Sequence, residues 1–186
     1  MNRSPILNYL EMETDQPEEN KTLEAQETAE RVAAMINEAI QGGLVKSDQF
    51  LQYVDERVHM PISIKNVASG NKTFAVIKRL VENGRFYHNH TLIIDEPEVN
   101  LHPAWQLILA EVLVILHKEL GLKVFLNTHS PYFVRAMETF SARHDIAERC
   151  HFYRTTEGEN GLYRVEDVTT ETEKIFRDLY LPLEEI

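Results

Sequence analysis

Asp95 and Glu96 stand side by side at the end of the apolar run Thr91-Leu92-Ile93-Ile94. A buried strand of this kind delivers both acids to the carboxyl edge of a sheet, the edge where open α/β sheets place their ligands. Strand side chains alternate in direction, so the two acids are expected to do different jobs. One can face a Mg2+ ion and its water shell while the other points toward an attacking water. That is the division of labour phosphoryl transfer requires. The plainer reading, a strand that simply ends in solvated acids, fits the same residues. A second cluster, Asn127-Thr128-His129-Ser130-Pro131, follows the apolar run Val124-Phe125-Leu126. A histidine between a strand end and a helix start can hydrogen-bond an anion or the water that attacks it. Alone, such a histidine reads more simply as structural. It is the pairing of the two clusters, one helix-like stretch apart, that carries the argument.

The elements that must position these clusters can be read from periodicity and punctuation. From Pro61 onward, strand-like and helix-like stretches alternate. Ile62–Val67, Thr91–Ile94 and Lys123–Leu126 read as strands, and Thr73–Asn83 as a helix stopped by Gly84. A long helix is expected from Pro103 to Leu120, with proline in its first turn and Gly121 as its stop. Ser130-Pro131 is a capped helix start, and Tyr132 and Phe133 are expected to pack that helix onto the sheet. Cys150–Arg154 and Leu162–Val165 flank Glu157–Gly161 as a hairpin, and Glu171–Tyr180 closes as a helix. This alternation predicts an α/β fold with a mostly parallel sheet flanked by helices. Trp105 and the run Leu107–Leu116 read as core. Upstream, the acidic stretch Glu11–Asn20 reads as a linker, and a helix runs from Thr22 to Gly42-Gly43. A second helical piece, Ser47–Val58, would carry Phe50, Leu51, Val54 and Val58 on one face. The division expected is therefore a helical, acidic segment over residues 1–60 and an α/β lobe over 61–186.

With 186 residues, 43% of them hydrophobic and 26% charged, the balance is globular. The formal net charge of −11 argues against a chain that grips a polyanion with its whole surface. A local basic groove for nucleic acid is compatible with that charge but gains no support from it. The single cysteine, Cys150, rules out an intrachain disulfide and a cysteine-based zinc cage, and it fits a reducing cytosol. Met1–Leu10 lacks the apolar core of a secretory signal, and Leu107–Leu116 is interrupted by Glu111 and too short to span a membrane. A cytoplasmic protein without membrane segments is expected. Asp95, Glu96, Glu98 and His102 could also suggest zinc, although oxygen-rich acids beside a histidine suit nucleotide chemistry better.

The sequence TLIIDEPEVNLHP followed by VFLNTHSPYFV resembles the second half of ABC-type ATPase domains. The branch is the one shared by SMC-like, RecF-like and OLD-like ATPases, the last of these acting in bacterial anti-phage defence. The resemblance covers residues 62 to about 140 well and the remainder only in general pattern. It implies a P-loop NTPase-like fold and use of ATP with Mg2+. Leu92–Asp95 would be the Walker B strand, with Asp95 serving the metal through water. Glu96 matches the catalytic glutamate that polarises the hydrolytic water, and His129 matches the switch histidine that senses the γ-phosphate. Glu98–His102 falls where the D-loop lies. Val67–Lys72 resembles the signature motif, in which Ser69 and Gly70 would contact a nucleotide held by the other protomer of a head-to-tail homo- or heterodimer. A plain serine-capped helix start is the alternative for those two residues. OLD-like proteins often carry a Toprim nuclease after the ATPase. The 57 residues after His129 are too few for one, so none is expected here.

One family element has no counterpart. A Walker A loop reads G-x-x-x-x-G-K-[ST], and none of the seven glycines is followed by lysine. The nearest stretch, Asn66–Thr73, keeps the Lys-Thr ending but has Asn at both glycine positions. A Cβ at the second of these obstructs the wrapping of backbone amides around a phosphate. The resemblance therefore implies a C-terminal half that completes its site with a phosphate loop from a missing N-terminal half or a Walker A-bearing partner chain. The alternative is a degenerate, non-catalytic lobe acting as an interaction or regulatory module.

Overall fold

The computed structural model describes residues 22–47, 51–55, 57, 60–86, 90–158 and 161–184. Met1–Leu10, the acidic stretch Glu11–Asn20, and Phe50 and Val58 of the helical piece expected over Ser47–Val58 lie outside the described residues. Helix α1, Leu23–Ala39, begins where the Thr22 hydroxyl accepts the Ala25 N–H at 3.2 Å, a side-chain cap on an otherwise orphaned donor. Its Val32 and Ile36 are fully buried. Helix α2, Ser69–Glu82, buries Phe74, Ala75, Ile77 and Val81 on one side.

Helix α3, Pro103–Leu120, is the centre of the molecule, packed against α1 on one side and α4, Pro131–Arg143, on the other. Its run from Val112 to Leu116 is buried all round, as expected of a helix covered by neighbours rather than one resting on a surface. Each fully buried Leu there stabilises the fold by about 1.5–3 kcal/mol. His102 caps the start, its Nδ1 accepting the Ala104 N–H at 3.2 Å, and Gly121 ends the helix in the left-handed region at φ 65°. Thr28 and Arg31 of α1 both engage Glu119 near the end of α3.

Among the described residues, three small sheets accompany the helices. Strands β1, Gly42–Lys46, β2, Leu51–Asp55, and β3, Pro61–Ser63, form an antiparallel sheet in that order. Strands β4, Thr91–Asp95, and β5, Lys123–Asn127, pair in parallel, with Asp95 level with Asn127. Strands β6, Tyr153–Glu157, and β7, Tyr163–Asp167, form the expected hairpin, followed by helix α5, Glu173–Glu184.

The α/β class holds, and the long helix and both strands that carry the polar clusters lie where periodicity put them, while the hairpin strands and the closing helix are present but begin a little later than expected. Three expectations change. The strand expected over Ile62–Val67 is the short Pro61–Ser63, after which Ile64–Asn66 coils into a 3-10 turn. Among the described residues only β4 and β5 are parallel, so the sheet content is mixed rather than mostly parallel. Within Ser47–Val58 the described stretch Leu51–Asp55 is strand β2 rather than the expected helix, and a strand also begins at Gly42-Gly43. Leu51, Tyr53 and Asp55 are buried and alternate with half-buried Gln52 and Val54, a period of two that pairing with β1 enforces. A Cβ on Gly42 would overlap the Val54 carbonyl and the Tyr53 ring, so this glycine serves strand packing rather than helix termination.

Candidate functional site

Strands β4 and β5 end level with each other, which brings the two polar clusters to one edge. Asn127 Nδ2 donates to Asp95 Oδ1 at 2.7 Å, fixing one oxygen of an exposed carboxylate and leaving the other free. The chain then turns sharply. Glu96 lies at φ 48° and Asn100 at φ 62°, both in the left-handed region that costs a side-chain-bearing residue about 1–2 kcal/mol. Pairing continues through this bend, because the Glu96 N–H donates to the Asn127 carbonyl at 2.8 Å. Strand alternation thus stops at Asp95, and the bend decides where Glu96 goes. Its Oε1 lies 3.0 Å from His129 Nε2. The histidine side chain is 79% exposed and Glu96 28%. Burial away from water raises the Glu96 carboxyl above its ordinary range, with the nearby negative charge of Glu98 adding to the rise and His129 opposing it.

Behind this pair lies Glu98, 8% exposed. Its Oε1 accepts the Thr128 hydroxyl at 2.5 Å and the His129 N–H at 3.2 Å. A second tie joins the same two loops. Gln106 Nε2 donates to the Leu101 carbonyl at 3.2 Å, and its Oε1 lies 3.5 Å from the Ser130 hydroxyl, whose oxygen caps α4 by accepting the Phe133 N–H. Sequence reasoning named Asp95, Glu96 and His129 for roles, placed Asn127, Thr128 and Glu98 in the motifs without the contacts they make here, and missed Gln106. The only signal was nearness to the motifs; Asn127 meets Asp95 across 32 residues of chain, Thr128 meets Glu98 across 30, and Gln106 meets Ser130 across 24.

Ser69 and Gly70 occupy a different place. Ala68 is the cap position of α2 and makes no side-chain cap bond, so Ser69 is the first helical residue and does not cap the helix. Gly70 is buried, and a Cβ there would sit 2.6 Å from Leu101 Cδ2 and 2.9 Å from the Asn100 carbonyl oxygen. Gly70 therefore packs closely against the turn after β4. Asn66–Thr73 does not form a phosphate loop. It follows β3, an antiparallel strand away from the β4–β5 pair, and Lys72 Nζ turns back to donate to the Lys65 carbonyl at 3.1 Å. Phe133 is fully buried, as expected of the start of α4, whereas Tyr132 remains 43% exposed.

No cluster of three or more His, Cys, Asp or Glu among the described residues could hold a metal, and His102 is spent on capping α3, so the zinc alternative falls away. Mg2+ does not need such a cage, because it keeps its waters and takes one or two carboxylates plus substrate phosphates. The free oxygen of Asp95 suits that role.

A protein-family model described as "AAA domain, putative AbiEii toxin, Type IV TA system" matches residues 13–135, which include both strand ends. The chain belongs to this AAA-domain family. Among solved structures, this AAA domain is similar to three SMC proteins. One comes from work on ATP-driven dimerization and DNA-stimulated activation of SMC ATPases, at 12% identity and TM-score 0.52, covering 83% of this chain and 92% of that one. An Smc head domain with a coiled coil and joint from Pyrococcus yayanosii gives 12% identity and TM-score 0.58, covering 84% and 29%. An SmcHead bound to the C-winged helix domain of ScpA gives 11% and 0.54, covering 81% and 44%. The AAA domain therefore spans less than half the length of the last two. No curated protein matched its sequence. Family and fold together place it among P-loop-type ATPase domains, a class that binds and hydrolyses ATP, usually with Mg2+. No helix among the described residues is long and apolar enough to cross a membrane.

Proposed function

We propose that this AAA domain, OLD-like in its motifs, carries the hydrolytic half of an ATPase site, completed by a phosphate loop from a preceding segment or a partner chain. The observation that carries the reading is the Glu96–His129 pair at 3.0 Å, held at the ends of two adjacent parallel strands beside Asp95. Glu96 orients the attacking water and takes its proton, a task suited to a carboxylate whose proton affinity is raised. His129 would donate to a γ-phosphate oxygen, and Asp95, held through one oxygen by Asn127, would serve the metal with the other. Mg2+ supplies neutralisation of the phosphate charge when bound. Ser69 and Gly70 serve a nucleotide held by the second protomer of a head-to-tail dimer.

Two features support the need for a further segment. The sequence has no G-x-x-x-x-G-K-[ST]. The β4–β5 pair also leaves Ile93 and Phe125 71% and 61% exposed, although parallel sheets are ordinarily covered on both faces. The packing of Gly70 favours a second reading, an ATPase-like lobe that docks a partner without completing a site across a dimer. Mg-ATP calorimetry and turnover on the chain mixed with a phosphate-loop-bearing partner separate them. In the assembled complex Glu96→Gln is expected to abolish turnover while ATP still binds. Unchanged turnover in that variant sinks the Glu96 role, and no nucleotide binding in any assembly leaves the docking lobe. DNA is a partner of one SMC neighbour by its description, but the net charge of −11 gives no reason to extend that here.

A further inference from the structure

We propose that Glu98 is a positioning residue that sets where His129 can point, an inference that rests on reading Glu96 and His129 as the hydrolytic pair. His129 is mostly exposed, and the Glu96 carboxylate is the partner of its ring. A ring so placed takes its direction from its backbone. That backbone is held by Glu98, which accepts the His129 N–H at 3.2 Å and the Thr128 hydroxyl at 2.5 Å. Thr128 in turn accepts the Ser130 N–H at 3.1 Å, so the three residues of the loop are fastened to one buried carboxylate.

The anchor and the acid share one turn. Glu96 and Glu98 are two residues apart, and the turn is closed by the Val99 N–H donating to the Glu96 carbonyl at 3.1 Å and the Leu101 N–H to the Glu98 carbonyl at 3.0 Å. Any shift of the turn therefore moves Glu96 and the mooring of its partner together, which keeps their separation fixed. Glu98 Oε2 is buried with no hydrogen-bond partner. Leaving a buried carboxylate oxygen unpaired costs free energy. A neutral acceptor of the same shape could make the same two bonds, so glutamine is the variant that separates geometry from charge.

The test compares Glu98→Ala, Glu98→Gln and Thr128→Val in the full chain by amide hydrogen exchange and by the nuclear Overhauser contact between the His129 ring and the Glu96 side chain. In Glu98→Ala the His129 amide is expected to exchange about tenfold faster, as loss of a charge-assisted hydrogen bond implies. The ring contact should disappear, exchange in α3 and β5 should stay as in the parent, and Glu98→Gln should restore both signals. If Glu98→Ala does not fold, Thr128→Val should weaken the same two signals. Folded variants with an unchanged His129 amide and ring contact overturn the proposal, as does a uniform rise in exchange across β5, which marks a merely structural stitch. In the assembled ATPase, kcat in Glu98→Ala should fall about 100-fold, the scale of a misplacement near 1 Å, with KM for ATP kept. These structural readouts use no nucleotide. A parent that never turns over ATP in any assembly therefore sinks the ATPase reading alone, and unchanged signals sink the clamp alone.

Discussion

Gly70 and Glu96 are both set by the turn that follows β4, one from outside and one from within. Gly70 presses on Asn100 and Leu101 where a side chain has no room. Glu96 bends the chain through a left-handed φ of 48°. Strain of this kind at a polar residue gathers where a side chain must be aimed rather than merely accommodated. If packing is what Gly70 serves, Gly70→Ala should destabilise the chain by about 1–2 kcal/mol, since overlap with a backbone oxygen outweighs the helix propensity gained. A urea midpoint measures it, and a stabilised variant would overturn the packing account. Asp95, Glu96 and His129 were legible because each lies in a polar cluster that directly follows an apolar run. Glu98 was not, because nothing in Pro97-Glu98-Val99 says that its carboxylate will be buried against Thr128.

At the scale of elements, the parallel pair β4–β5 is the unusual feature. Leu92, Ile94, Val124 and Leu126 pack toward the core, while Thr91, Ile93, Lys123 and Phe125 face outward. Near-continuous apolar strands normally mark a sheet covered on both sides, and here one face is open. Ile93→Thr with Phe125→Thr should change the stability of the chain alone by no more than about 0.5 kcal/mol, as for surface substitutions. The same pair should weaken capture of a phosphate-loop-bearing partner. A loss well above that figure in the isolated chain, read by denaturant titration, would mean that the face is already covered. The helices were legible in proportion to their punctuation. Pro103 and Gly121 bracket α3, and Ser130-Pro131 opens α4. The segment from 47 to 58 has no such signals. Its Leu51 and Val54 fit a helical face as well as a strand, and only the partner strand β1 selects the period of two.

For the molecule as a whole, the hairpin β6–β7 and α5 are joined by charge more than by core. Arg154 pairs with Glu166 at 2.8 Å and with Asp178 of α5 at 2.8 Å, and Lys174 Nζ lies 3.0 Å from Glu166. Hydrogen bonds from Lys174 and then Arg154 hold the Glu166 carboxyl below its ordinary value. A depressed carboxyl contributes stability that is present above its unfolded pKa of about 4.3 and lost as pH falls through the folded value. Acidification below about pH 4 should therefore loosen α5 from the hairpin before the α1–α3–α4 core melts. Amide exchange in α5 against pH reports it. Arg154→Ala should flatten that dependence, and equal acid sensitivity in the variant would remove the ion-pair account.

The sequence by itself determined the helices that carry their own caps and stops, the two apolar strands, and the three polar residues that end them. Those signals are local: a proline in a first turn, a glycine past a last one, an acid after a run of Leu and Ile. Tertiary structure alone decided that Leu51–Asp55 is a strand, that Gly70 packs against Asn100 and Leu101 and that Glu98 moors His129. Each of these depends on atoms brought together from distant parts of the chain. Only the fold fixes which backbone carbonyl stands beside Gly70 and which hydroxyl meets a buried carboxylate.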